Sequence, residues 1–317
     1  MGLFPKAVTE YLALQGIPRG PNSNIFLVDP ANGSDNNTGK SFQDPLASIE
    51  AAEALCTANQ HDVVLYLAGS SGNNLAAALT WDKNYTHLIG WCAPSAAAQR
   101  ARIFQTSTLT GASPLLNVTA TGCIFKNFYI FQGVDDATSL INVQVAGGRN
   151  YFENVHFAGG GHATMAINGG ASLKVTGDEN LFRHCTIGVD TIASATGHVG
   201  VLFDGAASRN VFEDCHVSMY AGNAGAAFVE VADATGIDRY TIFKECIFSN
   251  CNKANFEMTA GFVIPAIAAN RPARILLKDC MSYGAAKWDA NDRGVLMGNM
   301  DAVTGADESG EAVEMVT

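Results

Sequence analysis

Three stretches of this 317-residue chain carry side chains able to do chemistry: the adjacent acids Asp135-Asp136, the triplet Gly161-His162-Ala163, and Arg274-Ile275-Leu276. Paired carboxylates on one face act as acid and base in glycosidic-bond cleavage or hold Ca²⁺. The competing reading makes the acids turn residues, whose side chains bind their own backbone. The Asp29 to Gly39 loop is rich in oxygen ligands but lacks the Asp-x-Asp-x-Asp-Gly spacing and closing Glu of a calcium loop, so a structural turn is expected there. The eight cysteines form no pair of short Cys-x-x-Cys clips. Neither a metal site nor a cofactor is expected.

Whether these groups meet depends on the elements that carry them, and these come from a repeat. Six segments align: Cys123–Ile130, Asn150–Phe157, Asn180–Ile187, Asn210–Val217, Thr241–Phe248 and Ile275–Ser282. Each reads apolar, Phe, charged, polar, Cys, any, apolar. The Phe column is Phe125, Phe152, Phe182, Phe212, Phe243 and Leu277, and the Cys column three residues later is Phe128, Val155, Cys185, Cys215, Cys246 and Cys280. Cys followed by an apolar residue at i+2 has the period of a strand, and the charged-polar pair before it predicts a bend. Helical spacing of apolar residues is missing from the repeat. The expectation is all-β: a single-stranded right-handed parallel β-helix, or solenoid, with like residues stacked at about 4.8 Å. Val63–Leu67 and His87–Cys92 suggest earlier coils, and Gly- and Ala-rich insertions (Ala146-Gly-Gly, Ala158-Gly-Gly-Gly, Ala221-Gly-Asn-Ala-Gly-Ala) should project to one side.

Stacking also limits the chemistry. His156 and His216 fall two coils apart, too far to share a metal. Asp190, Asp204, Asp233 and Asp238 share no column and form no acidic calcium cluster. Cys185, Cys215, Cys246 and Cys280 form one straight ladder of buried thiols, which suits neither a disulfide nor a zinc tetrahedron.

The expected organisation is an N-terminal arm (1–24), an opening strand and short N-terminal capping helix (25–60), the β-helix (61–284) and an acidic C-terminal extension (285–317). Asp44 to Cys56 carries the helix signals, with Asp or Ser as N-cap. Residues 285–317 hold seven acids and two bases. A net charge of -11 opposes nucleic acid and anionic membrane as partners. The longest apolar run, Ala260 to Ala269, is too short to span a bilayer and is broken by Pro265. The first residues lack the pattern of a secretory signal, so export by that route is not expected.

The strand Ile25–Val28, then Asn32-Gly-Ser-Asp-Asn-Asn-Thr-Gly39, Asp44-Pro-Leu-Ala-Ser-Ile-Glu-Ala-Ala52 and an apolar strand, resembles the start of pectate-lyase-like right-handed parallel β-helix proteins. That superfamily holds polysaccharide lyases, hydrolases, esterases, tailspikes and structural virion proteins. The first 24 residues, with Arg19-Gly-Pro-Asn-Ser-Asn24, look similar to the short arms of β-helix structural proteins of tailed bacteriophages. Polygalacturonase-like enzymes show Asn-Thr-Asp, Asp-Asp, Gly-His-Gly and Arg-Ile-Lys in order. Here the first motif has no counterpart, and Gly161-His162-Ala163 and Arg274-Ile275-Leu276 are broken versions.

The resemblance implies a non-enzymatic virion structural protein, a trimeric capsid decoration assembled in the host cytoplasm, whose partner is the major capsid protein or another virion protein. Contacts are expected from Leu3, Phe4, Tyr11 and Arg19 in the arm and Leu296, Met297 and Met300 in the extension. The alternative is a tail spike that binds or cleaves a bacterial surface polysaccharide, with Asp135, Asp136 and His162 as catalytic groups. Trp81, Trp91 and Trp288 do not recur at the coil period as a sugar-stacking row would.

Overall fold

One residue turns the chain at the same corner of every repeat. Asn127, Asn154, His184, Asp214, Glu245 and Asp279 all have φ between 51° and 61°, the left-handed region that Asn and Asp tolerate best. The first five corner N–H groups each donate to a carbonyl of the next coil, as Asn127 does to Glu153 and Asn154 to Arg183, both at 3.0 Å. This is the predicted bend between the two short strands of each segment.

The computed structural model describes residue 4 and residues 6–265, 273–289, 295–297 and 313–314. Its strands form three sheets of 11, 9 and 7 strands, taken in the order in which each coil visits them, parallel except where Val313–Glu314 runs antiparallel to Val295–Met297. The first sheet holds the Phe segments, the tight corner leads to the second, and a longer loop leads to the third. The sheets wind into a right-handed parallel β-helix of about seven turns. The register follows the sequence alignment: Phe125, Phe152, Phe182, Phe212, Phe243 and Leu277 pair in order. Their rings stack inside at 4.8, 4.8, 4.4 and 4.6 Å. The four cysteines of the ladder are free thiols, and each Sγ donates to the Phe carbonyl of the preceding coil. Lys126, Glu153, Arg183, Glu213 and Lys244 form a column of alternating charge on the first sheet, paired at 2.6 Å (Lys126–Glu153), 3.5 Å (Arg183–Glu213) and 2.7 Å (Lys244–Glu213).

A second interior ladder crosses the corner that returns to the first sheet. Buried Asn150, Asn180 and Asn210 accept the backbone N–H of Cys123, Asn150 and Asn180 at 2.8–2.9 Å and donate to Ala120, Gly147 and Gly177 carbonyls. Removing one rung strands a buried N–H and a buried C=O. Asn180→Ala is expected to cost about 2–3 kcal/mol in urea unfolding. A change within about 0.5 kcal/mol would show that water replaces the amide.

The capping helix covers Ile49–Leu55 and is shorter than the 44–56 stretch suggests. Ser48 is the N-cap, accepting the Ala51 N–H, while Asp44 binds Thr38 instead. Leu46 is held in extended pairing, donating its N–H to Leu27 and accepting that of Asp29. Within the N-terminal arm, residues Lys6–Leu14 form a helix whose Val8 and Leu12, with Ile17, pack on Ile25, Leu27, Val63, Leu65 and Ile89. Strands such as Val63–Leu67 are apolar at successive positions, so their outward face needs a cover as much as their inward one.

The insertions do not all share a side. Ala158-Gly-Gly-Gly and the Ala221 loop lie between the second and third sheets, but Ala146-Gly-Gly lies at the return corner. There a Cβ on Gly147 would fall 1.9 Å from the Ala120 carbonyl oxygen, so glycine is required by close coil approach.

Candidate functional site

The loops from the second to the third sheet bring Asp135 and His162 together on adjacent coils. His162 Nδ1 lies 3.7 Å from Asp135 Oδ1 and 2.8 Å from Thr164 Oγ1, and both side chains are open to solvent. Asp136 is used differently. Its carboxylate accepts the Gly111 N–H (2.7 Å), Ser139 Oγ–H (2.6 Å), and the Thr138 N–H and Oγ–H (3.0 and 2.7 Å). These donors, Ser139 first, hold its pKa well below the usual carboxylate range. Asp136 is a turn staple that stays ionised rather than a proton donor. Arg274 lies elsewhere, on the first sheet in strand Arg274–Lys278.

The remaining chemical groups have structural work. Asp29 accepts the Ala31 and Asn32 N–H groups, and Asp35 those of Ala47 and Ser48, so the oxygen-rich loop folds on itself. Asp204 pairs with Lys174 at 2.8 Å. His156 accepts the Ala98 N–H through Nδ1 and donates through Nε2 to the Gly188 carbonyl, while His216 Nε2 meets Ser249 Oγ at 2.7 Å. Thr186 separates the two histidines in the register. Among the described residues no group of three His, Cys, Asp or Glu is placed to hold a metal ion.

Two surfaces were missed by the sequence reading. Arg102, Phe104, Tyr129 and Phe131 form an aromatic patch on the outer face of the second sheet. The guanidinium lies 5.4 Å from the Phe104 ring, and Phe104 meets Tyr129 and Phe131 edge-on at 6.1 and 6.3 Å. A Cβ on Gly161 would fall 2.4 Å from the Phe131 ring, which places that ring beside the His162 loop. The available signal was alternation: with Ile130 inward, Tyr129 and Phe131 must face out. The second surface lies on the last coils, where Ile247, Phe256, Met281 and Tyr283 are 43–60% exposed and Lys253 sits 5.3 Å over the Tyr283 ring.

The residues expected to bind a partner are placed as follows. Phe4 packs edge-on against Phe42 at 5.5 Å, and Tyr11 stacks on Trp91 at 5.8 Å, so both rings seat the N-terminal helix on the body. Arg19 donates to Ser23 Oγ and O at 2.6 and 2.8 Å. Leu296 and Met297 lie on a strand that continues the first sheet beside Leu276 and Leu277. Leu3 and Met300 lie outside the described residues.

No family model matches this sequence, and no curated protein matches it. Solved structures do. A rhamnogalacturonan lyase aligns over 87% of this chain and 73% of its own at 16% identity, TM-score 0.59. The pectate lyase Pel9A aligns over 95% and 83% at 16% identity, TM-score 0.58. The structural neighbours are pectate-lyase-like right-handed parallel β-helix proteins. At these identities the likeness concerns the fold, and function rests on the site. A chain titled "Geobacillus virus E2 - ORF18" aligns at 12% identity over 94% of this chain and 65% of its own, with a TM-score of 0.42.

Proposed function

We propose that this chain is a non-enzymatic structural protein of a tailed-bacteriophage particle, a rigid rod that decorates the capsid through protein–protein contacts and assembles as a homotrimer. The observation that supports this is the apolar surface of the last coils, where Ile247, Phe256, Met281 and Tyr283 stand exposed on a rigid sheet and its adjoining loop. Contiguous exposed apolar side chains mark interaction surfaces. On this reading Met281→Glu with Tyr283→Glu lowers co-sedimentation with purified particles by about 10-fold or more, as loss of central apolar anchors does, and leaves the unfolding midpoint unchanged. Full attachment by a folded double variant would refute it.

A second reading, a spike that binds or cleaves surface polysaccharide, draws on the aromatic patch beside Asp135 and His162. It requires that Phe104→Ala or His162→Ala abolish glycan retention or turnover.

A further inference from the structure

We propose that the groove between the N-terminal helix and the Arg19–Ile25 segment docks an acidic peptide segment of the protein to which this rod attaches. The inference rests on the contact-based reading above and names the chemistry of the partner. The groove measures about 750 Å³, and its walls include Phe4, Thr9, Ala13, Arg19, Asn22 and Lys40. Among the described residues two cations line it, and no carboxylate does.

That composition runs against the rest of the molecule. The chain has 30 acids to 19 bases, and many cations on its body are already matched, as in Lys83–Glu53, Lys126–Glu153, Lys174–Asp204 and Lys244–Glu213. Among the described residues neither Arg19 nor Lys40 forms an ion pair. The carboxylate whose field reaches Arg19 is Asp62, and it is spent on the Asn24 and Thr57 N–H groups.

The two cations suit two kinds of contact. Arg19 is fixed by Nε to Ser23 Oγ and Nη2 to the Ser23 carbonyl, so its planar guanidinium is held for a carboxylate without loss of rotamer freedom at binding. Lys40 is exposed, with its ammonium 5.9 Å from the Phe26 ring, and serves as a mobile point charge. Phe4 adds apolar surface to the wall and is itself held edge-on against Phe42. A peptide bearing a few carboxylates fits this pattern better than a polyphosphate, because a net charge of -11 repels a long polyanion before it reaches two cations.

The test is fluorescence anisotropy of a labelled Glu-Ala repeat peptide titrated with the full chain, beside its Gln-Ala counterpart. Affinity for the Glu-Ala peptide is expected to fall with salt, and by about 2- to 5-fold for Lys40→Gln and for Arg19→Gln alone, the range of exposed ion pairs. Arg19→Gln also disturbs Ser23, so Lys40→Gln, an exposed side chain, is the decisive variant. Equal binding of the Gln-Ala peptide, unchanged affinity of Lys40→Gln, or displacement by a single-stranded oligonucleotide at lower concentration than by unlabelled peptide would overturn the proposal. The titration needs no particle. Its failure leaves the contact reading standing, and failed particle attachment leaves the groove standing.

Discussion

Phe212→Ala is expected to cost about 3–5 kcal/mol, the range for deleting a fully buried aromatic side chain. The ring is wholly buried, stacks on Phe182 at 4.4 Å and Phe243 at 4.6 Å, and meets Phe203 edge-on at 5.9 Å. Neighbouring coils cannot close the gap, because their spacing is set by the backbone ladder on either side, so the cavity persists. Phe212→Leu is expected to recover most of the loss, since Leu277 and Leu88 occupy the same column at its ends. Urea unfolding followed by circular dichroism measures both. In a solenoid each coil touches mainly its neighbours, so a separate early transition for part of the rod is also expected. A loss under about 1 kcal/mol would mean that the stack carries little of the stability.

Acidification should destabilise the fold well before the carboxylates titrate. His87 and His198 are buried, and burial lowers their pKa values from 6.5 to about 3 and about 4. His87 Nδ1 accepts the Ile124 N–H at 3.1 Å, which leaves its proton on Nε2, facing His61 Nδ1 at 3.1 Å. Burial lowers the pKa of His156 and of His216 as well.

The sign follows from proton counts. Below 6.5 the unfolded chain binds protons that the folded chain refuses, so stability is highest above that value and is lost as pH falls towards the folded pKa values. His87 and His198 together lose about 4 kcal/mol between about pH 7.5 and pH 5. His87→Asn keeps an acceptor for the Ile124 N–H and removes one titration, so it should lessen the slope by the His87 share, about 2 kcal/mol over that range, whatever it does to absolute stability. A flat stability curve across that range would show that these rings reach solvent in the folded state.

How much of this was legible in the linear chain depended on the residue. The Phe and Cys columns were readable because identical environments recur at each coil and select the same side chain, and the register confirms them position by position. The left-handed corner was readable as a bend because polar residues fill it in every copy, two of them Asn and two Asp. The N-terminal helix was not read, although Val8, Tyr11 and Leu12 have helical spacing. Its partner surface is assembled from strands Ile25–Val28 and Val63–Leu67, far apart in the chain. The turn role of Asp136, binding Thr138 and Ser139 just after it, was among the readings of the acids, but its capture of the Gly111 N–H was not. That donor comes from the preceding coil, and motif order carries no information about it.

The linear chain alone therefore determined the all-β solenoid and the interior columns, because periodic burial writes itself into residue type. Only the tertiary structure decided which outward residues meet: the aromatic patch around Phe104, the exposed surface at Tyr283, and the groove between Arg19 and Lys40. Outward positions feel no common packing constraint from coil to coil. Their chemistry arises from neighbours brought together by the winding, which no repeat in the sequence records.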